Sequence, residues 1–188
     1  MALTSAIAIL VNAAMDSQGD CGGGTFPLGS AGAASFVKNL VGLPPNIYHP
    51  VALANKLSNT DQPGGDMTAT VNSDLDSAAN CAGARWFYPL DNRAAPTGIM
   101  SFYSTVLHEL GHGLCFLSLL NRDGTFGAPS IDIYSTFLES HLDANTFGNL
   151  TAAQRRAASI GGPNLHWTGP NVLANLAAAG LIGGVSNG

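Results

Sequence analysis

The run Thr105-Val-Leu-His-Glu-Leu-Gly-His-Gly-Leu114 constrains this chain more than any other stretch, because it spaces His108, Glu109 and His112 as H-E-x-x-H. On an α-helix, residues four apart lie on one face, so imidazoles at 108 and 112 can hold one metal ion between them. Glu109 stands about 100° further round, beside that ion, where a base acting on an activated water must be. No proline interrupts 102–120, Ser101 or Ser104 can cap the start, and Asn121, Asp123 and Gly124 supply a stop. Those signals predict one helix over 102–120. Its apolar residues run round nearly every side, which predicts burial. Buried imidazoles and a buried carboxylate need strong partners, and zinc is one. Ordinary core histidines are the plainer reading, but with five His and two Glu in 188 residues a chance match to the pattern is rare.

Only 10% of the residues are charged, 46% are hydrophobic and 23 are glycine. At this length that describes a single domain over 1–188 with a real core and a loop-rich, polar but uncharged surface, a surface common among secreted proteins. The formal charge of −5 comes without a basic patch, which argues against nucleic acid as a partner. No uncharged apolar run of about 18 residues lies outside the motif helix, so no membrane span is expected. Residues 1–14 lack the basic start of a signal peptide and read as structure; a secreted form would already have lost its signal. Cys21 and Cys81 lie in loops rich in Gly, Asp and Asn and can pair in an oxidising compartment, two free thiols being the alternative. Cys115 reads as a small buried filler on the motif helix.

Along the chain, Ala6 to Ala14 fits a buried strand, followed by a Gly-rich loop in which Asp16 and Asp20 belong to a solvated turn. Residues 33–43 are ambiguous between strand and helix. His49 reads as surface or cap, not as a ligand, ahead of a short helix over 51–57. Met67 to Asn72 alternates and is β-branched, hence a strand, and Arg85 to Tyr88 is a short extended run packing in the core. After the motif helix, apolar residues at 131, 134, 137 and 138 have helix spacing, and Thr151 caps a helix that Gly161-Gly-Pro163 ends. An Ala-rich tail follows Gly169. The fold class is therefore α+β: a sheet-rich part in 1–100 backing a buried active-site helix, and a helical part within 101–188.

Several segments resemble a family of secreted zinc-metallopeptidase-like proteins, many of which carry a protease-associated domain. They are Ala52-Leu-Ala-Asn-Lys-Leu57, Val71-Asn-Ser73, Trp86-Phe-Tyr88, Val106 to Phe116, Ile131-Asp-Ile-Tyr134 with Phe137-Leu138, and Trp167-Thr-Gly-Pro-Asn-Val172. The helix signature is the specific part and also looks like the leishmanolysin-type metzincins. The resemblance implies a zincin fold and zinc-dependent hydrolysis of protein or peptide substrates, with His108 and His112 as ligands and Glu109 as the catalytic glutamate. The compact metzincin motif would place Gly at 115 and His at 118, where this chain has Cys115 and Ser118. Leishmanolysin-like proteins bring a third His from far downstream, shortly before a Met-turn, but no methionine follows Met100. The chain therefore reads as a shortened member.

A catalytic zinc takes three protein ligands and one open position. Asp132, 20 residues beyond His112, is the first candidate for the third, with an N-cap or an acceptor orienting a ligand His as its other readings. His166, in a His-Trp pair, is the second, against ordinary packing. Glu139, His141 and Asp143 read as a solvated edge. The turn Asn121-x-Asp123-x-Thr125 has Phe126 where a calcium loop needs Gly. Tyr134 or His166 is the candidate to stabilise an oxyanion. The sequence supports two functions: a secreted zinc endopeptidase with Glu109 as general base, or a catalytically impaired zincin-fold binding domain lacking the third ligand and Met-turn.

Overall fold

The computed structural model describes residues 4–19, 21, 25–76, 81, 83–89, 93–171 and 174–175. Asp20 and the expected Ala-rich tail beyond residue 175 lie outside them. The chain divides into two compact units, one formed by residues 1–45 and 49–117, the other by residues 46–48 and 118–188.

The first unit is built on a three-stranded sheet of β1 (Val11–Asp16), β2 (Gly29–Ala33) and β5 (Met67–Asn72), in the order β1-β5-β2. β5 is central, parallel to β1 and antiparallel to β2. Its β-branched alternation puts Met67, Ala69 and Val71 on one buried face, as its sequence pattern predicts. β1 differs from expectation. It starts at Val11, later than the apolar run, and Asn12 to Asp16 are exposed. A strand at a sheet edge, paired on one side only, need not be apolar throughout.

Two shorter pairs complete the strands of this unit. β3 (Phe36–Val37) runs antiparallel to β4 (His49–Pro50), and β6 (Trp86–Phe87) runs parallel to β7 (Met100–Ser101). His49, expected at the surface, is buried. The helix after it, α1 (Val51–Ser58), closes at Asn59, which takes the left-handed conformation with φ of 52°. Asn55 on α1 donates to Asp66 Oδ1 at 2.8 Å while Asp66 Oδ2 accepts Leu10 N at 2.7 Å, so a buried carboxylate ties α1 to the start of β1.

The motif helix α2 spans Phe102–Gly113 and ends seven residues before the predicted stop at 120. Ser101 caps it, its Oγ accepting Ser104 N at 3.2 Å, an interaction worth about 1 kcal/mol. Phe102 is packed edge-on against Trp86, with ring centroids 5.4 Å apart, and tilted against Tyr88 at 5.1 Å. Trp86 Nε1 donates to Asn72 O at 2.7 Å. Of the aromatic run before the helix, Trp86 packs in the core, as expected, whereas Tyr88 is exposed; the Trp86–Phe102 contact fixes where the helix begins. Only Thr105, Glu109 and Gly113 of α2 are buried, a single i, i+4, i+8 stripe, whereas Leu107 and His108 are exposed. The helix is thus not enclosed on every side. Its buried stripe packs on β2 and β5. Gly113 is needed there, because a Cβ would meet Met67 Sδ at 2.7 Å. Cys21 and Cys81, 60 residues apart, are joined beside the core of Val71, Leu75 and Trp86.

The second unit contains an antiparallel sheet of β8 (Leu138–Ser140), β9 (Asn145–Thr146) and β10 (Leu165–Trp167) in the order β10-β8-β9, together with the helix α3 (Ala152–Ile160) and helical residues at 170–171 and 174–175. Within the expected helical C-terminal part, the sheet corrects one element, the helix expected over 131–140. Residues with helix spacing over 131–140 form a 3-10 turn at Ser135–Phe137 and then β8. Over so short a window the apolar positions satisfy both periods, and cross-strand pairing decides. α3 matches its sequence signals: Thr151 caps it in a full capping box with Gln154, and Gly161 follows its end. Arg155 of α3 gathers the loops around it. Its Nε donates to Gly124 O at 2.7 Å, its Nη1 to Phe147 O at 3.0 Å and to Leu150 O, and its guanidinium lies 4.5 Å from the Phe126 ring centre. The overall class is α+β. Among the described residues no helix is long and apolar enough to cross a membrane.

Candidate functional site

His108 and His112 are brought together by one turn of α2. Their rings meet edge to face with centroids 4.6 Å apart, and their Nε2 atoms face each other at 3.0 Å. His112 Nδ1 lies 2.7 Å from Phe116 O. A carbonyl only accepts, so Nδ1 carries the hydrogen and Nε2 presents its lone pair to His108. Two ring nitrogens converging in this way make one hydrogen bond, His108 donating, and the same two nitrogens can instead turn to one metal ion. Tetrahedral zinc bonded to two imidazoles would hold their nitrogens roughly 3.3 Å apart, close to the separation seen. The donor type, the fixed tautomer of His112 and its carbonyl partner all fit zinc.

The partner on Nδ1 comes from how α2 ends. Leu114 is the C-cap, Cys115 N donates to His112 O at 3.2 Å, and Phe116 N donates to Gly111 O at 3.0 Å. That pair of bonds is a Schellman closure, whose next residue must take positive φ. Cys115 does so, at φ 113°, in a region that suits glycine. The chain reverses there and brings the Phe116 carbonyl onto His112. Cys115 is thus a half-buried residue of the turn, not a filler on the helix. Cys115→Gly is expected to relieve the backbone and stabilise the protein by about 1 kcal/mol, a rise in Tm of about 2–4 °C. A thermal melt showing an equal fall would mean that the side chain's own packing outweighs its backbone cost.

Glu109 is buried at 9% exposure on the sheet side of α2, next in sequence to the outward-facing His108. It packs over Gly29 of β2, where an added Cβ would lie 3.5 Å from Glu109 Cγ and 2.8 Å from Thr70 O. Gly29 therefore makes room for the carboxylate stem, a role its place in a Gly-rich stretch did not single out. Among the described residues of this unit, no third His, Cys, Asp or Glu joins the histidines to make a group able to hold a metal.

Asp132 and His166 belong to the second unit. Asp132, buried at 1% exposure, accepts Ser135 N at 2.8 Å on Oδ1, and Leu119 N at 2.9 Å and the Ser135 hydroxyl at 2.7 Å on Oδ2. His166 lies on β10 opposite Glu139, with Nε2 3.0 Å from Pro163 O and its ring 4.9 Å from that of His141. Tyr134 packs on Trp167 at 4.6 Å. His141 and Asp143 are exposed, and Asp143 accepts from Ser140 Oγ and Gln154. In the 121–125 turn, Asp123 Oδ1 accepts both the hydroxyl and the amide of Thr125, and these bonds hold its carboxyl below the usual carboxylate range. No family model, curated protein or solved structure matches the chain.

Proposed function

We propose that the chain is a secreted, zinc-dependent endopeptidase of zincin type, with His108 and His112 holding the metal and Glu109 serving as general base. The observation that carries this reading is the pair of Nε2 atoms at 3.0 Å, with His112 fixed by the Phe116 carbonyl. Zinc bound there would polarise a peptide carbonyl and make a water acidic near neutral pH. The chain's own residues have separate parts in this. His112 is held in one tautomer with its lone pair outward. His108, exposed, leaves the site open to a peptide. Glu109, beside them on the same helix, takes the water's proton and returns it to the leaving amine. The Cys21–Cys81 bond supports an oxidising compartment. Asp132 and His166, the expected sources of a third bond, belong to the second unit, where their side chains are held by Leu119, Ser135 and Pro163.

A second reading, a zincin-like binding domain with impaired catalysis, draws on the two-histidine set found among the described residues. Zinc titration followed by peptide hydrolysis separates the two. The parent chain is expected to take up one zinc, and His108→Ala or His112→Ala to weaken uptake by more than about a hundredfold. A folded parent that takes up no zinc at micromolar concentration would end the endopeptidase reading and favour the binding domain. Zinc uptake without hydrolysis of an unstructured protein would leave the binding domain. Asp132→Ala and His166→Ala, assayed alongside, test the third bond.

A further inference from the structure

Within the second unit, a cavity of about 590 Å³ opens between the 118–122 segment, α3, β8 and β10. Its volume lies in the range of small-molecule sites. Leu120, Leu138, Ile160 and Leu165 give it apolar walls, and Ile160 and Leu165 are exposed at 69% and 38%. A large aliphatic side chain left this open at the end of a helix is a cost in water that a bound apolar group would remove.

The polar part of the lining is selective. Ser118 Oγ accepts Leu120 N, and since Ser135 gives its hydroxyl hydrogen to Asp132, Ser118 gives its own to Ser135. Asn121 Nδ2 donates to Thr125, and Ser159 Oγ donates to Arg155 O. The serine and asparagine side chains in the wall therefore spend these donors inside the protein. Arg122 and Arg156 are the charged groups that line the cavity, and among the described residues no Asp or Glu lines it to neutralise them. Two guanidinium groups beside an apolar cleft complement one anion carried on an apolar body.

We infer that this cavity binds a medium-chain aliphatic carboxylate, its carboxylate between Arg122 and Arg156 and its chain against Leu120, Leu138, Ile160 and Leu165. The inference is independent of the zinc site and rests on other residues.

Calorimetric titration of the full chain with decanoate tests it. Saturable one-to-one binding is expected, with Arg122→Gln and Arg156→Gln each weakening it about tenfold or more. Decanol, which keeps the chain and lacks the charge, should bind at least tenfold more weakly than decanoate. Ile160→Glu places a negative charge in the mouth at an exposed position that the fold tolerates, and should abolish binding. Equal affinity of the parent and the double arginine variant for decanoate would overturn the assignment, as would equal affinity for decanol and decanoate. Tighter binding of a short leucine-rich peptide with a free C-terminus would replace the aliphatic carboxylate by a peptide end.

Discussion

Glu109→Gln is expected to fold and to take up zinc as the parent does while losing peptide hydrolysis by about 10²–10⁴-fold, the usual contribution of a positioned general base. The amide keeps the size of the side chain, so its packing over Gly29 is preserved. It cannot accept a proton at neutral pH, so the change removes the base alone. The loss should fall on kcat, with KM nearly unchanged, because a base acts on the transition state and not on substrate binding. Hydrolysis of an unstructured protein substrate, measured beside zinc content and a thermal melt, decides the matter. A variant as active as its parent would remove Glu109 from the chemistry and with it the endopeptidase reading.

The second large effect concerns stability. Asp132→Ala is expected to destabilise the second unit by about 3–5 kcal/mol, because three donors converging on one carboxylate would lose their acceptor. Asn is a poor replacement, since its amide nitrogen would set a donor against donors. Urea denaturation gives the magnitude, and hydrogen exchange at the Leu119 and Ser135 amides gives the location, for these should lose protection first. A loss below about 1 kcal/mol would refute the structural role. If zinc affinity also falls while the fold survives at low temperature, Asp132 has both duties.

The sequence was legible where one local signal had no competitor. β5 has the residues its alternation predicts, and α3 starts at Thr151 because Gln154 completes a capping box three residues on. It was illegible where the deciding partner is distant or is backbone. The end of α2 is the clearest case. Leu114 to Leu120 looks like more helix, and the stop is a Schellman closure with Cys at a position normally held by Gly. The same backbone turn delivers the Phe116 carbonyl to His112, so no side-chain pattern announces it. His108, Glu109 and His112 themselves needed only the four-residue spacing. Arg155, by contrast, holds a carbonyl 31 residues away, and hydrophobic periodicity records nothing of such a bond.

The second unit is not a continuous length of chain. Tyr48 N donates to Ile131 O and Ile133 N donates to Tyr48 O, both at 2.9 Å, so three residues from early in the sequence, 46–48, flank the segment that carries Asp132. Anyone dividing the protein at residue 117 to express its halves would remove a backbone partner on each side of that buried carboxylate. Such a C-terminal fragment would report the fragility of a missing piece and not the unit's own stability. Supplying the 46–48 region within a separate peptide would then act as a complementation assay, restoring order only when the Tyr48 backbone is present.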